Sequence, residues 1–566
     1  MELRHRGLPR LTRALLALLV VLLLTPAAAA AQDPKLPPSQ TEPPRFFERS
    51  ARQVERIANR AGKVRAARRD GRLDPTAYTR GVGRWQVSYF RAGKEVVQVQ
   101  VDDRSGAILE QWSGYQVAWR MARGYPGAFG RKLNAPYVWI TLCVLFLLPF
   151  VDLRRPWRLL HLDLLVLLGF GASHVFFNRG EIGVSVPLVY PVLVYLLVRM
   201  LLAGLRPRER AGPLVPYVPL AALAVALVFL VGFRVALNVV DSNVIDVGYA
   251  GAIGADRIVD GDGLYGDGFS EDVPKGDTYG PVDYLLYVPF EQAMPWSGRW
   301  DDLPAAHGAA IAFDLLTIGT LLLLGRALRP GRAGTALGVA LAYAWAAYPY
   351  TAFSLETNSN DTLVALACAL ALLAFARRSA AGAGVVVGLG AASKFAPLAL
   401  APLFARRRPL VFGIALAVTL AIAVVPFIPD GGLSELYDRT LGYQAARGSP
   451  FSIWGQEPSL DWLQTTLKAA AVGLALLVAF VPRSPTNRQV AALGAAVLIA
   501  LQLPVNHWFY LYVVWFLPFV LVASFDAIRP PAPAAGESTW HAHPSRLPRA
   551  PRSATGPPSP SRSAPA

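Results

Sequence analysis

Residues 214–263 read LVPYVPLAALAVALVFLVGFRVALNVVDSNVIDVGYAGAIGADRIVDGDG. The first half is an apolar run long enough to cross a bilayer, read as a crossing over 214–236. The second half turns small and acidic. Asp246 follows the run so closely that it belongs at the membrane–water interface. From Val247 to Ile258 the chain carries Gly248, Ala250, Gly251, Ala252, Gly254 and Ala255, which lets a short helix lie tightly on a bundle. Gly261 and Gly263 stop it. A spanning helix, an interfacial carboxylate and a tight helix point to an all-α polytopic membrane protein whose function lies in its connections.

The rest of the chain agrees. Of 566 residues 54% are hydrophobic and 16% charged, against about 25% charged in soluble chains. Eleven crossings are predicted, over 134–151, 159–177, 184–203, 214–236, 305–325, 333–352, 360–376, 409–427, 464–482, 489–504 and 508–525. The apolar run 383–404 is interrupted by Lys394 and Pro397 and reads as a helical hairpin of two short halves. The connections assigned to the cytoplasm hold 16 of the 26 basic residues between 134 and 526. Cys143 and Cys368 lie in apolar runs, with no disulfide framework and no zinc spacing.

The net charge of +17 suggests nucleic acid until it is divided along the chain. Residues 134–526 are neutral, and the excess sits in 1–31, 32–133 and 527–566. Residues 1–31 have a basic start, a short apolar core and small residues, the pattern of a signal peptide or signal anchor. Residues 32–133 form an exported module of net +10: a Pro-rich spacer, a helix over 46–69, strands 85–90 and 95–101 joined by Arg91–Lys94, and a third strand 107–112. Residues 134–212 add membrane helices, 213–526 form the main membrane domain, and 527–566 read as a disordered cytoplasmic tail.

Within the neutral body, residues 237–304 carry thirteen acids and three bases. Most of these acids suit a solvated loop. Asp260-Gly-Asp262-Gly263 resembles a calcium loop only faintly, since no glutamate falls at the twelfth position, and no metal site is favoured. Asp246 differs because of its depth. A desolvated carboxylate there suits a general base, and a helix-capping aspartate is the structural alternative.

Three ordered blocks carry a family resemblance. VIDVGYAGAIGADRIVDGDGLYG (244–266) with DTYGPVDYLLYVPFE (277–291), the run 358–408 around Lys394, and LPVNHWFYLYVVWFLPFV (503–520) resemble GT-C glycosyltransferases. The likeness is nearest to glycosyltransferase family 87 and the polyprenol-phosphate-mannose-dependent mannosyltransferases. It covers 214–525, and Asn358-Ser-Asn-Asp361 departs from the family's frequent Gly-Gln. Residues 46–113 resemble the PepSY domain.

The resemblance implies transfer of mannose or another hexose, with inversion, from a polyprenyl-phosphate donor at the outer face of the plasma membrane. Asp246 would be the base. Asp241, Tyr249, Tyr265, Tyr279, Lys394, Arg447, His507 and Tyr510 are the substrate-contact candidates, and Arg439 is a further candidate for the leaving phosphate. Lys394 has snorkelling as its alternative. The implied partners are the lipid-linked sugar as co-substrate, a glycolipid or cell-envelope glycan acceptor, and the bilayer. No cofactor and no nucleic acid is called for. The module and the catalytic face would be extracytoplasmic. A lipid or solute transporter, or a non-catalytic protein built around the module, is the competing class. A transporter would favour paired broken helices, and only one broken stretch is present.

Overall fold

The computed structural model describes residues 34–529 apart from 82, 125–128, 267, 268, 270–272, 274 and 299–302. The signal segment 1–31 and nearly all of the tail 527–566 lie outside the described residues.

The N-terminal module is α+β. Helices α1 (Ala51–Ala58) and α2 (Gly62–Arg68) precede four antiparallel strands in sequence order: β1 (Asp74–Thr79), β2 (Arg84–Arg91), β3 (Lys94–Asp102) and β4 (Ile108–Ser113). Alternation sends Trp85, Val87 and Tyr89 of β2 and Val97, Val99 and Val101 of β3 to one face, where Ala51, Val54, Ala58 and Val64 cover them. Asp103 ties the helical start to the sheet. Its carboxylate accepts the Glu48 and Arg49 amides and the Trp85 indole.

Three expectations for this module are corrected. The helix over 46–69 is two helices, because 24 continuous helical residues would reach about 36 Å and overrun strands of six to nine residues. The break at Ala61 lets both helices stay on the sheet. The Arg91–Lys94 connection is a two-residue turn: Arg91 pairs with Lys94, and Ala92 and Gly93 both take positive φ, which matches the strand twist. A further strand, β1, lies at the sheet edge, where Pro75 is tolerated.

Each predicted crossing falls on helix. Among the described residues, five helices are long and apolar enough to span: Leu159–Asn178, Ile182–Leu205, Leu220–Asp241, Pro304–Leu328 and Pro409–Phe427. Shorter apolar helices include Pro136–Phe150, Asp361–Ala376 and Tyr510–Phe525. The membrane habit shows on Pro409–Phe427, where Leu410, Ile414, Val418 and Ile422 form one exposed apolar stripe at four-residue spacing. The run 383–404 is a broken pair, Ala380–Ala391 and Ala396–Ala405, and Lys394 sits in the break.

Several charges inside the bundle are paired. Arg234 meets Asp314 at 2.6 Å, and Asp163 accepts Arg199 and Tyr195, each at 2.9 Å. Of the two histidines in the helix Leu159–Asn178, His161 is held on both ring nitrogens, by the Pro156 carbonyl and the Asp152 amide. His174 is held by aromatic packing instead. It stacks on Tyr510 at 4.5 Å, and its Nε2 has no hydrogen-bond partner.

Candidate active site

Asp246 opens the helix Asp246–Asp260, as its first residue. Close packing fixes that helix. A Cβ on Gly248 would meet the Asn358 carbonyl at 2.6 Å, and Cβ atoms on Gly251 and Gly254 would strike the rings of Tyr287 and Tyr284. Gly261, at φ +78°, ends the helix in the left-handed conformation. The Asp246 carboxylate accepts the Val247 amide at 3.0 Å. It is solvent-exposed, yet protein surrounds it densely enough that burial pushes its carboxyl above the usual carboxylate range. These two facts together describe a carboxylate that solvent reaches and that protein crowds. Arg447 is the strongest influence pulling it back down, followed by the Val247 amide and Lys394.

A second set of groups comes from a loop laid on the broken hairpin. The Gly280 amide donates to the Ser393 carbonyl at 2.8 Å and the Val282 amide to the Ala392 carbonyl at 3.0 Å. Only glycine fits at 280, where a Cβ would lie 2.0 Å from the Ala392 oxygen. This docking brings Tyr279 beside Lys394, whose Nζ lies 5.2 Å from the Tyr279 ring centre and 5.8 Å from that of Trp515. Lys394 pairs with Asp361 at 2.7 Å. Asp361 also accepts the Trp515 indole at 2.9 Å and the Ser359 hydroxyl at 2.9 Å. One turn below, Asp283 is fully buried and accepts Asn360 at 2.6 Å and Ser393 at 3.1 Å.

His507 and Arg447 form the third set. His507 Nδ1 is 2.8 Å from the Ser449 hydroxyl, and its ring packs against Phe451 and Trp119. Burial first, and then Arg447, push its pKa well below the usual histidine value, so the ring is neutral at physiological pH. Arg447 thus acts electrostatically on both Asp246 and His507.

Asp246 lies within electrostatic reach of Arg447, Lys394 and Tyr279, Lys394 lies over the Tyr279 ring, and Arg447 in turn acts on His507. Tyr265 stands behind, its hydroxyl donating to the Tyr279 carbonyl at 2.9 Å. Three candidates are turned elsewhere. Asp241 accepts the Lys132 amide, Tyr249 is buried in the packing around Tyr284, and the Tyr510 hydroxyl bonds Ser173 and Ser185. Arg439 is already neutralised by Asp277 at 2.8 Å and Glu435 at 2.7 Å.

Sequence reasoning passed over Asp361 and Asp283. The run Thr357–Asp361, five polar residues inside an apolar body, was the available signal for Asp361. A cavity of about 300 Å³ lined by Phe375, Arg378, Arg407 and Arg408 lies at the far end of the helix that Asp361 begins, about 20 Å away. No carboxylate lines it. Among the described residues no group of three His, Cys, Asp or Glu side chains is placed to hold a metal.

Residues 278–525 match the family model for glycosyltransferase family 87. That part of the chain is similar to glycosyltransferase family 87. The match takes in Tyr279, Asp283, Asp361, Lys394, Arg447 and His507, and Asp246 lies before it. No curated protein matches the chain. Among solved structures the chain is similar to ArnT from Cupriavidus metallidurans bound to undecaprenyl phosphate. The identity is 15% and the TM-score 0.37, over 54% of this chain and 59% of that one. The chain thus spans less than two thirds of that structure's length.

Proposed function

We propose that the protein transfers a sugar, mannose or another hexose, from a polyprenyl-phosphate donor to an acceptor hydroxyl at the outer face of the membrane. The observation that carries this reading is the grouping of side chains around Asp246. It holds one reachable carboxylate raised by burial, a guanidinium with no carboxylate partner among the described residues, and a lysine between two aromatic rings.

Transfer needs few parts. Asp246 takes the proton from the acceptor hydroxyl as its oxygen attacks the anomeric carbon. The bond from that carbon to the phosphate oxygen breaks, and the polyprenyl phosphate leaves with its electron pair. One attack from the opposite face inverts the configuration, so a single base suffices. The departing phosphate gathers negative charge, which Arg447 meets with a forked set of N–H donors. The neutral imidazole of His507 adjoins as a further polar contact. Lys394, held against Asp361, lends charge from behind Tyr279. The reaction is written without a metal or cofactor. The bilayer supplies the donor's chain, the acceptor is a glycolipid or cell-envelope glycan, and the N-terminal module shares the outer side with Asp246.

The test is direct. Purified full-length protein is given a panel of polyprenyl-phosphate monosaccharides and a glycolipid acceptor mixture, and release of polyprenyl phosphate and labelling of the acceptor are followed together. Acceptor-dependent release from at least one donor is expected. No release from any donor overturns the reading.

A further inference from the structure

The segment that leaves the N-terminal module, residues 115–124, is clamped between the module and the membrane bundle. Gln116 donates to the carbonyls of Ala122 and Gly180, both at 3.2 Å. Arg123 donates to the Gln116 carbonyl at 2.8 Å and reaches Gln98 of β3 at 2.8 Å, with its guanidinium over the Trp112 ring. Gly124 and Gly180 approach backbone to backbone. A Cβ on Gly124 would lie 2.2 Å from the Gly180 nitrogen. The segment is therefore fixed at both sides, to the sheet of the module and to the turn after the helix Leu159–Asn178.

At its centre Trp119 reaches His507 and Arg447. Its ring meets Phe451 edge to face at 5.6 Å, lies 6.0 Å from the His507 ring, and carries the Arg447 guanidinium 5.4 Å from its centre. Arg447 is half-buried and its Nε has no hydrogen-bond partner. Arg439, eight residues earlier, is held by two carboxylates. The difference matters chemically. A carboxylate would fix a guanidinium by neutralising it and occupying its N–H donors. An aromatic face fixes its plane while leaving the charge and the donors free for an anion.

We propose that the N-terminal module is a working part of the transfer site, with Trp119 as a positioning residue that holds Arg447 ready for the donor phosphate. This rests on the glycosyl-transfer reading given above. It gives the module a role in the reaction itself: a shift of its sheet relative to the bundle is transmitted through Arg123 and Trp119 to the Arg447 cation.

The experiment uses the full chain in nanodiscs, with undecaprenyl phosphate as the binding probe and a polyprenyl-phosphate sugar for KM and kcat. Four variants are compared: Trp119→Phe, Trp119→Leu, Arg447→Gln, and Trp119→Leu with Arg447→Gln. Monodisperse elution and an unchanged melting temperature identify the properly folded preparations. Trp119→Leu is expected to weaken probe binding roughly tenfold and raise KM more than it lowers kcat. Trp119→Phe, which keeps an aromatic face, stays within about threefold of the parent. In the Arg447→Gln background Trp119→Leu adds little, because the two act as one unit.

Unchanged probe binding in Trp119→Leu, with Arg447→Gln weakened, overturns the positioning role and leaves the transfer reading standing. Equal losses from Trp119→Leu in both backgrounds also overturn it, since mere packing would behave that way. If Trp119→Leu fails to fold, Trp119→Phe decides: a loss equal to that of Arg447→Gln overturns the role. Unchanged binding in Arg447→Gln itself removes the phosphate contact from the transfer reading, and the positioning role with it.

Discussion

Two arginines of this chain meet their surroundings in opposite ways. Arg234, on the spanning helix Leu220–Asp241, is 1% exposed and pairs with Asp314 at 2.6 Å. It also donates to the Ala346 carbonyl at 2.9 Å and the Thr351 hydroxyl at 2.8 Å. Asp314 in turn accepts the Trp345 indole at 2.8 Å. Arg447 has a ring face beneath it and a carboxylate in electrostatic reach, but no ion pair among the described residues. A buried charge without a counter-charge costs several kcal/mol, so the Arg234 charge deep in the bundle is held by Asp314. A charge set on a ring face keeps its capacity for a ligand. Satisfaction by the protein thus separates the charges that hold the fold from those available to a substrate.

The largest expected effect belongs to Asp246. Replacement by Asn preserves shape and removes the base, so transfer should fall by roughly 10²- to 10⁴-fold, with undecaprenyl-phosphate binding and melting temperature close to the parent. Near-parent turnover in Asp246→Asn would take the base away from this residue. Arg234 should answer in the opposite currency. Arg234→Met strands the Asp314 carboxylate, for a loss of about 3–5 kcal/mol, seen as reduced yield and an earlier melt in detergent. The fraction that folds should keep its KM. Arg234→Met combined with Asp314→Leu should recover much of the loss, because apolar groups replace the pair at similar volume. A raised KM with an unchanged melt would erase the distinction between the two arginines.

Arg447 sharpens the comparison through pH. Burial raises the Asp246 carboxyl and Arg447 opposes that rise. A base works only when deprotonated, so kcat/KM falls on the acid side through its pKa. Removing the cation in Arg447→Gln lets that pKa climb further, and the acid limb of the profile should move to higher pH. Arg439→Gln is the control, since Asp277 and Glu435 already balance Arg439. An acid limb that stays in place in Arg447→Gln would place Arg447 too far from the base to matter.

How much of this was legible in the sequence follows the same division. Apolar runs and their arginine-rich ends are local signals, and every predicted crossing landed on helix. The break at Lys394 was readable because a lysine and a proline fall inside one apolar stretch. The helix starting at Asp246 was readable from its small residues and its terminating glycine. Pairings across the chain were not. The bond from Lys394 to Asp361 spans 33 residues, and nothing near either announces the other. Trp119 was less legible still, since a tryptophan after a polar strand reads as surface until Arg447 is placed above it. The edge strand β1 was missed because Pro75 and its polar neighbours break the alternation that marked β2 and β3.

The smallest expected effect concerns Asp283, which stands between the two classes of charge. It is fully buried like the bundle ions, yet it sits one turn from Tyr279, and among the described residues its hydrogen-bond donors are the neutral Asn360 and Ser393. Burial pushes its carboxyl up to about 7, against the pull of Lys394 and the two hydrogen bonds. In the unfolded chain the group returns to about 3.9. Between these values the folded protein holds a proton that the unfolded chain has released. Its contribution to stability is therefore complete below about pH 4 and is lost as pH rises through the folded value. The melting temperature of the parent should fall between pH 5 and 8 by more than that of Asp283→Asn, which has no proton to lose. Taking the difference between the two proteins removes every other titrating group from the comparison. A parent curve that rises relative to the variant would mean that Asp283 is ionised throughout, held by Lys394 as firmly as Asp314 is held by Arg234.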